Sequence, residues 1–405
     1  ASTLNQWAHH LPPMMARKPV RITLKDNAVP IFQKSGSVPA HLVEKAKANL
    51  DRDEKLGVIR RLPQNTPMEW CVRLVWATKP NGDLCRTINL TGLNKASKRQ
   101  MHMTTTPYEQ ASQVPENTVK TVMDACNSYH SIPVQKDDRK YLNFSTWFST
   151  NQHLVAPQGW CTSGDAYTRR YNDLIKDQEN IVKHIDDTLL WADNIEDNYR
   201  RTIKYLQLVG NGGVVINKKK FVFAQTEVDY SGFRITANMV KPLEKNLEAI
   251  RTFPTLTKIS GVRSFYALAN NLNFCTRVKN LLSEFRPLLS PKTKFYWNDA
   301  MTKKFREVTN SLVKLAKDSV MQFNMDQWTI LEMDFSKDRH GYCLQQKTCR
   351  HKVEDKQISP TCMKSCLRPI MCGSRLTRAV VEGELLALSW ALEMTEHFTM
   401  QNSSL

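Results

Sequence analysis

Nowhere in the 405 residues does an apolar run approach the roughly 18 to 20 residues that a membrane-spanning helix requires. The opening stretch ASTLNQWAHHLPPMMARKPV also lacks the charged-then-apolar order of a signal peptide. Tight cysteine spacing is missing too: ten cysteines spread from Cys71 to Cys372, which suits reduced thiols better than a disulfide framework. These absences lead to the expectation of an intracellular chain, cytoplasmic or nuclear, with no membrane contact. Internal repeats and low-complexity tracts are absent as well, which sets repeat architectures and disordered arrays aside. Acidic residues are scarce, with 57 Lys and Arg against 39 Asp and Glu and a net charge of +18, a surplus that favours a polyanionic partner such as nucleic acid. The length suits two or three domains, each able to bury its own core. The first residue is Ala rather than Met, so a fragment or a processed polyprotein product is expected.

What is present is a mixture of strand and helix patterns. In PAHLVEKAKANLDRDEKLGVI, Leu42, Ala46 and Leu50 fall four apart and Gly57 closes the run, as in a helix. CVRLVWATKPNGDLCRTINL reads as two strands around the turn PNGD, with Lys79 and Arg86 flanking its tip. A strand in VKTVMDACNSYHSIPV ends at Asp124, and GDAYTRRYNDLI carries Tyr167, Tyr171, Leu174 and Ile175 at helical spacing. NIEDNYRRTIKYLQLVG is a second helix, stopped by Gly210. Mixed elements through residue 236 predict an α+β sheet domain with helices on one face. From about 241 to 290 the pattern turns helical with breaks at Pro254 and Pro287, and from Thr329 a new α/β pattern begins, ending in a helix with Val381, Leu385, Leu388 and Leu392 on one stripe.

The stretch IVKHIDDTLLW sets two adjacent carboxylates, Asp186 and Asp187, between two apolar strand-like runs, so the pair sits on a hairpin tip. Two such acids repel, and a divalent cation removes that penalty. Taken alone, the stretch is as well read as a polar hairpin tip. Asp124 lies at a strand end about sixty residues earlier, and if both strands share one sheet, three carboxylates converge on a site for two divalent ions, the arrangement used for in-line phosphoryl displacement. Spacing by itself leaves a strand-end turn acid equally open for Asp124.

VMDACNSYHSIPV, APQGWCTSGDAYTRRYNDLI, KHIDDTLLWADNIED, INKKKFVFAQTEVDYSGFRIT and FRPLLSPKTKFYWNDAMTKKF follow one another in an order and spacing that resembles the pol segment of gypsy-type LTR retrotransposons. Over essentially residues 20 to 400 the chain looks like a reverse transcriptase followed by a ribonuclease H domain. The resemblance implies a right-hand polymerase: an N-terminal extension over 1–38, fingers and palm over 39–236, thumb and connection over 237–295, and a truncated ribonuclease H-like α/β domain over 296–405. It implies an RNA-directed DNA polymerase that uses two Mg2+ ions, with Mn2+ as a substitute, an RNA and DNA primer-template, and deoxynucleoside triphosphates. By position, Asp124, Asp186 and Asp187 match the metal-binding acids. Tyr129 matches the aromatic residue that packs below the sugar of the incoming nucleotide, and Gln158 in PQGW matches a nucleotide contact beside Gly159. Lys79 and Arg86 match the basic pair that grips the triphosphate, and Ser231 and Gly232 sit in the primer grip.

In the last segment, MDFSKDRHGYCLQQ and SRLTRAVVEGELLALSWALE resemble the first strands and first helix of a retroelement ribonuclease H, so that Asp334 and Glu384 match its first two catalytic acids and Glu382 reads as a solvated neighbour. That site requires further acids on later elements, and the chain stops at HFTMQNSSL, so no RNA cleavage is expected. Three departures stand out: His184 where the family usually has Tyr, and Asn89 and Thr91 where Asp and Arg are common. The alternative reading is accordingly a non-catalytic, nucleic-acid-binding remnant of a retroelement. Cys349, His351, Cys362 and Cys366 have the ligand types of a Zn2+ site, although their spacing fits no standard finger and free thiols are the plainer expectation.

Overall fold

The computed structural model describes residues 14–15, 17–34, 38, 40–63, 65–78, 84–126, 128–270, 278, 281–290, 295–317, 320–321, 327–336, 339–347, 367–376 and 383–399. Contacts divide the chain into two compact units, residues 1–104, 122–190 and 199–222, and residues 105–121, 191–198 and 223–405. The units thus interleave along the chain, whereas linear boundaries were expected from the sequence.

In the first unit the helix Val43–Lys55 forms where apolar residues recur four apart: Ala46 and Leu50 are fully buried, and Gly57 follows in the left-handed region at φ 71°. The chain then enters β1 (Ile59–Arg61) and the antiparallel hairpin β2 (Val72–Thr78) and β3 (Leu84–Asn89), with Trp76 opposite Arg86. With β5 (Asn143–Ser145) and β6 (Thr150–His153) these make a five-stranded sheet ordered β1-β6-β5-β2-β3. A second sheet orders β7 (Ile181–His184), β8 (Asp187–Ala192), β4 (Val119–Asp124) and β9 (Val222–Gln225) as β7-β8-β4-β9. The strand predicted to end at Asp124 does so. Buried Leu50, Trp70, Leu74, Met123, Phe144, Tyr167, Tyr171 and Tyr205 belong to one continuous core. Tyr167 and Tyr171 come from the helix Cys161–Ile175 and Tyr205 from the helix Ile195–Asn211. The latter runs through Gly210 and ends at Asn211, with the left-handed turn delayed to Gly213 at φ 82°.

The second unit contains a separate antiparallel sheet, β10 (Val228–Tyr230), β11 (Phe233–Ile235), β12 (Met239–Pro242) and β13 (Val320–Met321), in that order. The helices Glu244–Arg251 and Ile259–Asn270 lie in the predicted helical stretch, and a further helix, Asp299–Lys317, lies beyond it. Phe253, Phe265, Phe285, Trp297 and Phe305 pack edge to face or stacked within it, ring centroids 4.7 to 6.5 Å apart. Pro287 lies inside the 3-10 turn Ser283–Leu289 rather than breaking it. The last segment is a three-stranded meander, β14 (Thr329–Ser336), β15 (Arg339–Lys347) and β16 (Leu367–Leu376), followed by the helix Gly383–Thr399. Of the predicted stripe, Val381 lies outside the described residues, Leu388 is half-buried and Leu392 is 44% exposed, while Ala387, Ala391 and Thr395 are buried. Trp390 meets Tyr342 edge to face, ring centroids 5.1 Å apart.

Candidate active site

Backbone hydrogen bonds bring the acids of the first unit together. Asp124 is the last residue of β4, and the N–H of the next residue, Ala125, donates to the carbonyl of Asp186 at 2.9 Å. The N–H of Asn217 donates to the carbonyl of Asp124 at 2.7 Å, and that of Cys126 to Val215 at 2.7 Å, so the chain at Asp124 is held from two sides. The hairpin register pairs Lys183 with Thr188 and His184 with Asp187, leaving Ile185 and Asp186 as its two loop residues. Asp187 is therefore the first residue of β8, not a second tip residue. Ile185 adopts φ 52°, a left-handed conformation that a β-branched side chain takes only under constraint from its surroundings.

The side chain of Lys220 lies against these acids, its Nζ 2.9 Å from Oδ2 of Asp124. The bond to Asp124 raises the Lys220 pKa, partial burial opposes the rise, and the charges of Asp124, Asp187 and Asp186 add to it. All three carboxylates thus act on one cation. The sequence reading passed over Lys220, although Lys218, Lys219 and Lys220 form a 3-10 turn directly after Asn217, the residue bonded to Asp124. The donor set suits hard divalent ions. Among the described residues no three His, Cys, Asp or Glu side chains are gathered closely enough to hold a metal ion, so these carboxylates would have to turn toward an arriving cation and Asp124 to exchange its ammonium partner.

Tyr129 sits half-buried in the 3-10 turn Ser128–Ser131, edge-on to Tyr167 with ring centroids 6.1 Å apart. Burial raises its pKa, with Asp186 and Asp165 adding to the effect, so it stays a neutral hydroxyl. A Cβ at Gly164 would lie 3.6 Å from that hydroxyl. Asp165 is fixed by Arg99 at 2.7 Å. Gln158 is exposed, and Gly159 follows at φ 93°, where a side chain would be strained. Asn94, which the sequence reading did not single out, clamps this loop: its Nδ2 donates to the carbonyl of Gly159 at 2.8 Å, and its Oδ1 accepts from the N–H of Cys161 at 3.0 Å. Asn89 accepts from the N–H of Thr91 at 3.1 Å, a local turn.

Arg86 does not project from its hairpin as a basic flank. Its side chain is 7% exposed, and the guanidinium donates to Oδ2 of Asp53 at 2.6 and 3.1 Å, approaches Nε2 of His153 at 3.1 Å and lies 5.2 Å from the Phe144 ring centre. A carboxylate thirty-three residues upstream draws it inward. Burial lowers the pKa of His153 far below the usual range, and the Arg86 charge adds to this, so His153 is a neutral acceptor here. Lys79, Cys349, His351, Cys362 and Cys366 lie outside the described residues. In the second unit, Ser231 and Gly232 are the two loop residues between β10 and β11, at φ 42° and 96°, and the carbonyl of Gly232 accepts from Leu243 and Asn246. Asp334 lies on β14 opposite Gly341, and Glu384 is the second residue of the helix Gly383–Thr399. The described cysteines Cys71, Cys126, Cys161 and Cys343 are free thiols, and no described helix is long and apolar enough to cross a membrane.

The chain is 22% identical over 382 residues to the Transposon Tf2-3 polyprotein of Schizosaccharomyces pombe, covering 94% of this chain and 28% of that polyprotein. It spans little more than a quarter of that relative's length. Its fold matches the foamy viral protease-reverse transcriptase in complex with an RNA/DNA hybrid, at a TM-score of 0.73 and 16% identity, over 98% of this chain and 51% of the other. The same foamy viral protein in complex with dsDNA matches at a TM-score of 0.68 and 15% identity, over 98% and 79%. The fold is that of a reverse transcriptase. Asp124, Tyr129, Gln158, Asp186 and Asp187 all fall within residues 83–235, the segment that matches the reverse transcriptase (RNA-dependent DNA polymerase) family.

Proposed function

We propose that this chain is the RNA-directed DNA polymerase of a retrotransposon, joining deoxynucleoside triphosphates to a primer 3′-hydroxyl on an RNA or DNA template. The observation that carries the reading is the 2.9 Å bond from Ala125 to Asp186, which fastens the strand end at Asp124 to the acidic hairpin. Two Mg2+ ions, or Mn2+ in their place, held by Asp124, Asp186 and Asp187 would lower the pKa of the attacking hydroxyl and steady the triphosphate and the leaving oxygen. Tyr129 would then wall the sugar pocket, its ring held by Tyr167. Gln158 would meet the incoming nucleotide from a loop whose glycine permits close approach. The net charge of +18 suits a duplex partner, so binding should weaken steeply with salt. Ser231 and Gly232 would border the primer. Asp334 and Glu384 would be the first acids of a ribonuclease H-like site.

The second reading, a binding remnant without catalysis, draws on His184 and on the Lys220 ammonium at Asp124. Primer extension on an RNA template with Mg2+ and, separately, Mn2+, comparing the parent with Asp186→Asn, tests both. Extension by the parent that falls by about a thousandfold in the variant is the expected result. No extension by either, with salt-sensitive duplex binding retained, would favour the remnant.

A further inference from the structure

One buried cation in the first unit has no part in the reading above. Lys183 is 5% exposed, beneath the hairpin that carries the acids. Its ammonium lies 4.7 Å from the ring centre of Tyr171 and 5.8 Å from that of Tyr167, and it donates to the carbonyl of Ile185 at 3.0 Å. An ammonium removed from water needs compensation, and here two aromatic faces and a carbonyl supply part of it. The cage is itself braced. The hydroxyl of Tyr171 bonds that of Tyr205, and Thr188, directly across the hairpin from Lys183, bonds Tyr205 at 2.9 Å. The carbonyl that Lys183 holds belongs to the residue in the left-handed conformation, and the next peptide leads to Asp186.

We infer that Lys183 is a positioning residue for the polymerase site: its ammonium ties down the Ile185 carbonyl and so fixes the strained peptide that aims the Asp186 carboxylate. The same cage continues to the nucleotide pocket, because Tyr167 under Lys183 meets Tyr129 edge-on. The donor sits inside the sheet floor, where the Asp186 charge also acts on it, and its printed hydrogen bond is to the hairpin backbone. The inference rests on the polymerase reading for its consequence in catalysis, and on the hairpin geometry for its structural half.

The test compares the parent with Lys183→Met, which keeps the packing and removes the donor, and Lys183→Gln, which retains a neutral N–H donor. Single-turnover extension at saturating nucleotide should fall at least about tenfold in Lys183→Met, with nucleotide half-saturation and duplex binding unchanged, and should recover in Lys183→Gln. Amide hydrogen exchange in residues 181–190 should rise about tenfold in Lys183→Met while that of residues 161–175 stays as in the parent. A Lys183→Met chain that extends primers and exchanges like the parent would overturn the inference. Faster exchange throughout the first unit would also overturn it, since Lys183 would then serve the core at large. If the parent does not extend primers, the polymerase reading falls, and the exchange pattern still decides whether Lys183 holds the hairpin.

Discussion

Two hairpins in this molecule use the same two-residue loop with different residues. Between β7 and β8 the loop is Ile185 and Asp186, and between β10 and β11 it is Ser231 and Gly232. Left-handed backbone is required in both, at φ 52° for Ile185 and 42° and 96° for Ser231 and Gly232. The second loop meets the requirement with a glycine and a small polar residue, the chemistry such turns favour. The first places a β-branched residue there, at a cost of about 1 to 3 kcal/mol. Their supports differ in kind as well. A buried lysine, Lys183, bonds into the first loop, whereas the second is held at the Gly232 carbonyl by the Leu243 N–H and the Asn246 amide; another buried lysine, Lys120 on β4, bonds the carbonyls of Thr118 and Thr226. Where the local sequence opposes the turn and the tertiary structure enforces it, the position of the side chains is what is being maintained.

The strongest way to break this comparison is to make the first loop resemble the second. Ile185→Gly should leave urea stability at or above the parent's, because the strained conformation disappears, while primer extension falls by about a hundredfold as Asp186 loses its fixed aim. Extension at the parent's rate would mean that the strain has no function. A smaller effect should come from Lys120, whose pKa burial lowers to about 8, with Glu227 pulling it back up. A lysine with a folded-state pKa below its unfolded value binds fewer protons when folded, so stability rises with pH between about 8 and 10.5. The parent should accordingly gain about 2 kcal/mol relative to Lys120→Met across that window, read from denaturant midpoints. Lys120→Met with the same pH slope as the parent would remove this account. Smallest is Gly232→Ala, which puts a Cβ at φ 96° and 3.3 Å from Nδ2 of Asn246 and should cost about 1 kcal/mol of stability.

The sequence was most informative where chemistry and periodicity coincide. Asp124 at a strand end, the hairpin carrying Asp186 and Asp187 and the helix with Tyr167 and Tyr171 all stand where residue types alone put them. Arg86 shows the limit of that reading. Its place on a hairpin flank was legible, but its direction was set by Asp53, a partner that no local pattern reveals. Lys183 and Lys220 were illegible for a related reason: a lysine is presumed solvated until aromatic rings or carboxylates from distant segments are seen around it. The terminal helix misled in a third way, because Ala387 and Ala391 are buried where Leu392 of the expected stripe is exposed.

The hydroxyl cluster beneath the acidic hairpin also has an optical consequence. Burial raises the pKa of Tyr171 to about 12 and that of Tyr205 well above the ordinary phenol value. Surface tyrosines ionise first during an alkaline titration, and these two can follow only when the floor of the hairpin opens. Burial raises Tyr266 of the second unit to about 12 as well, so in a Tyr266→Phe chain their late tyrosinate absorbance is an intrinsic, label-free signal for the moment at which the acidic turn loses its foundation.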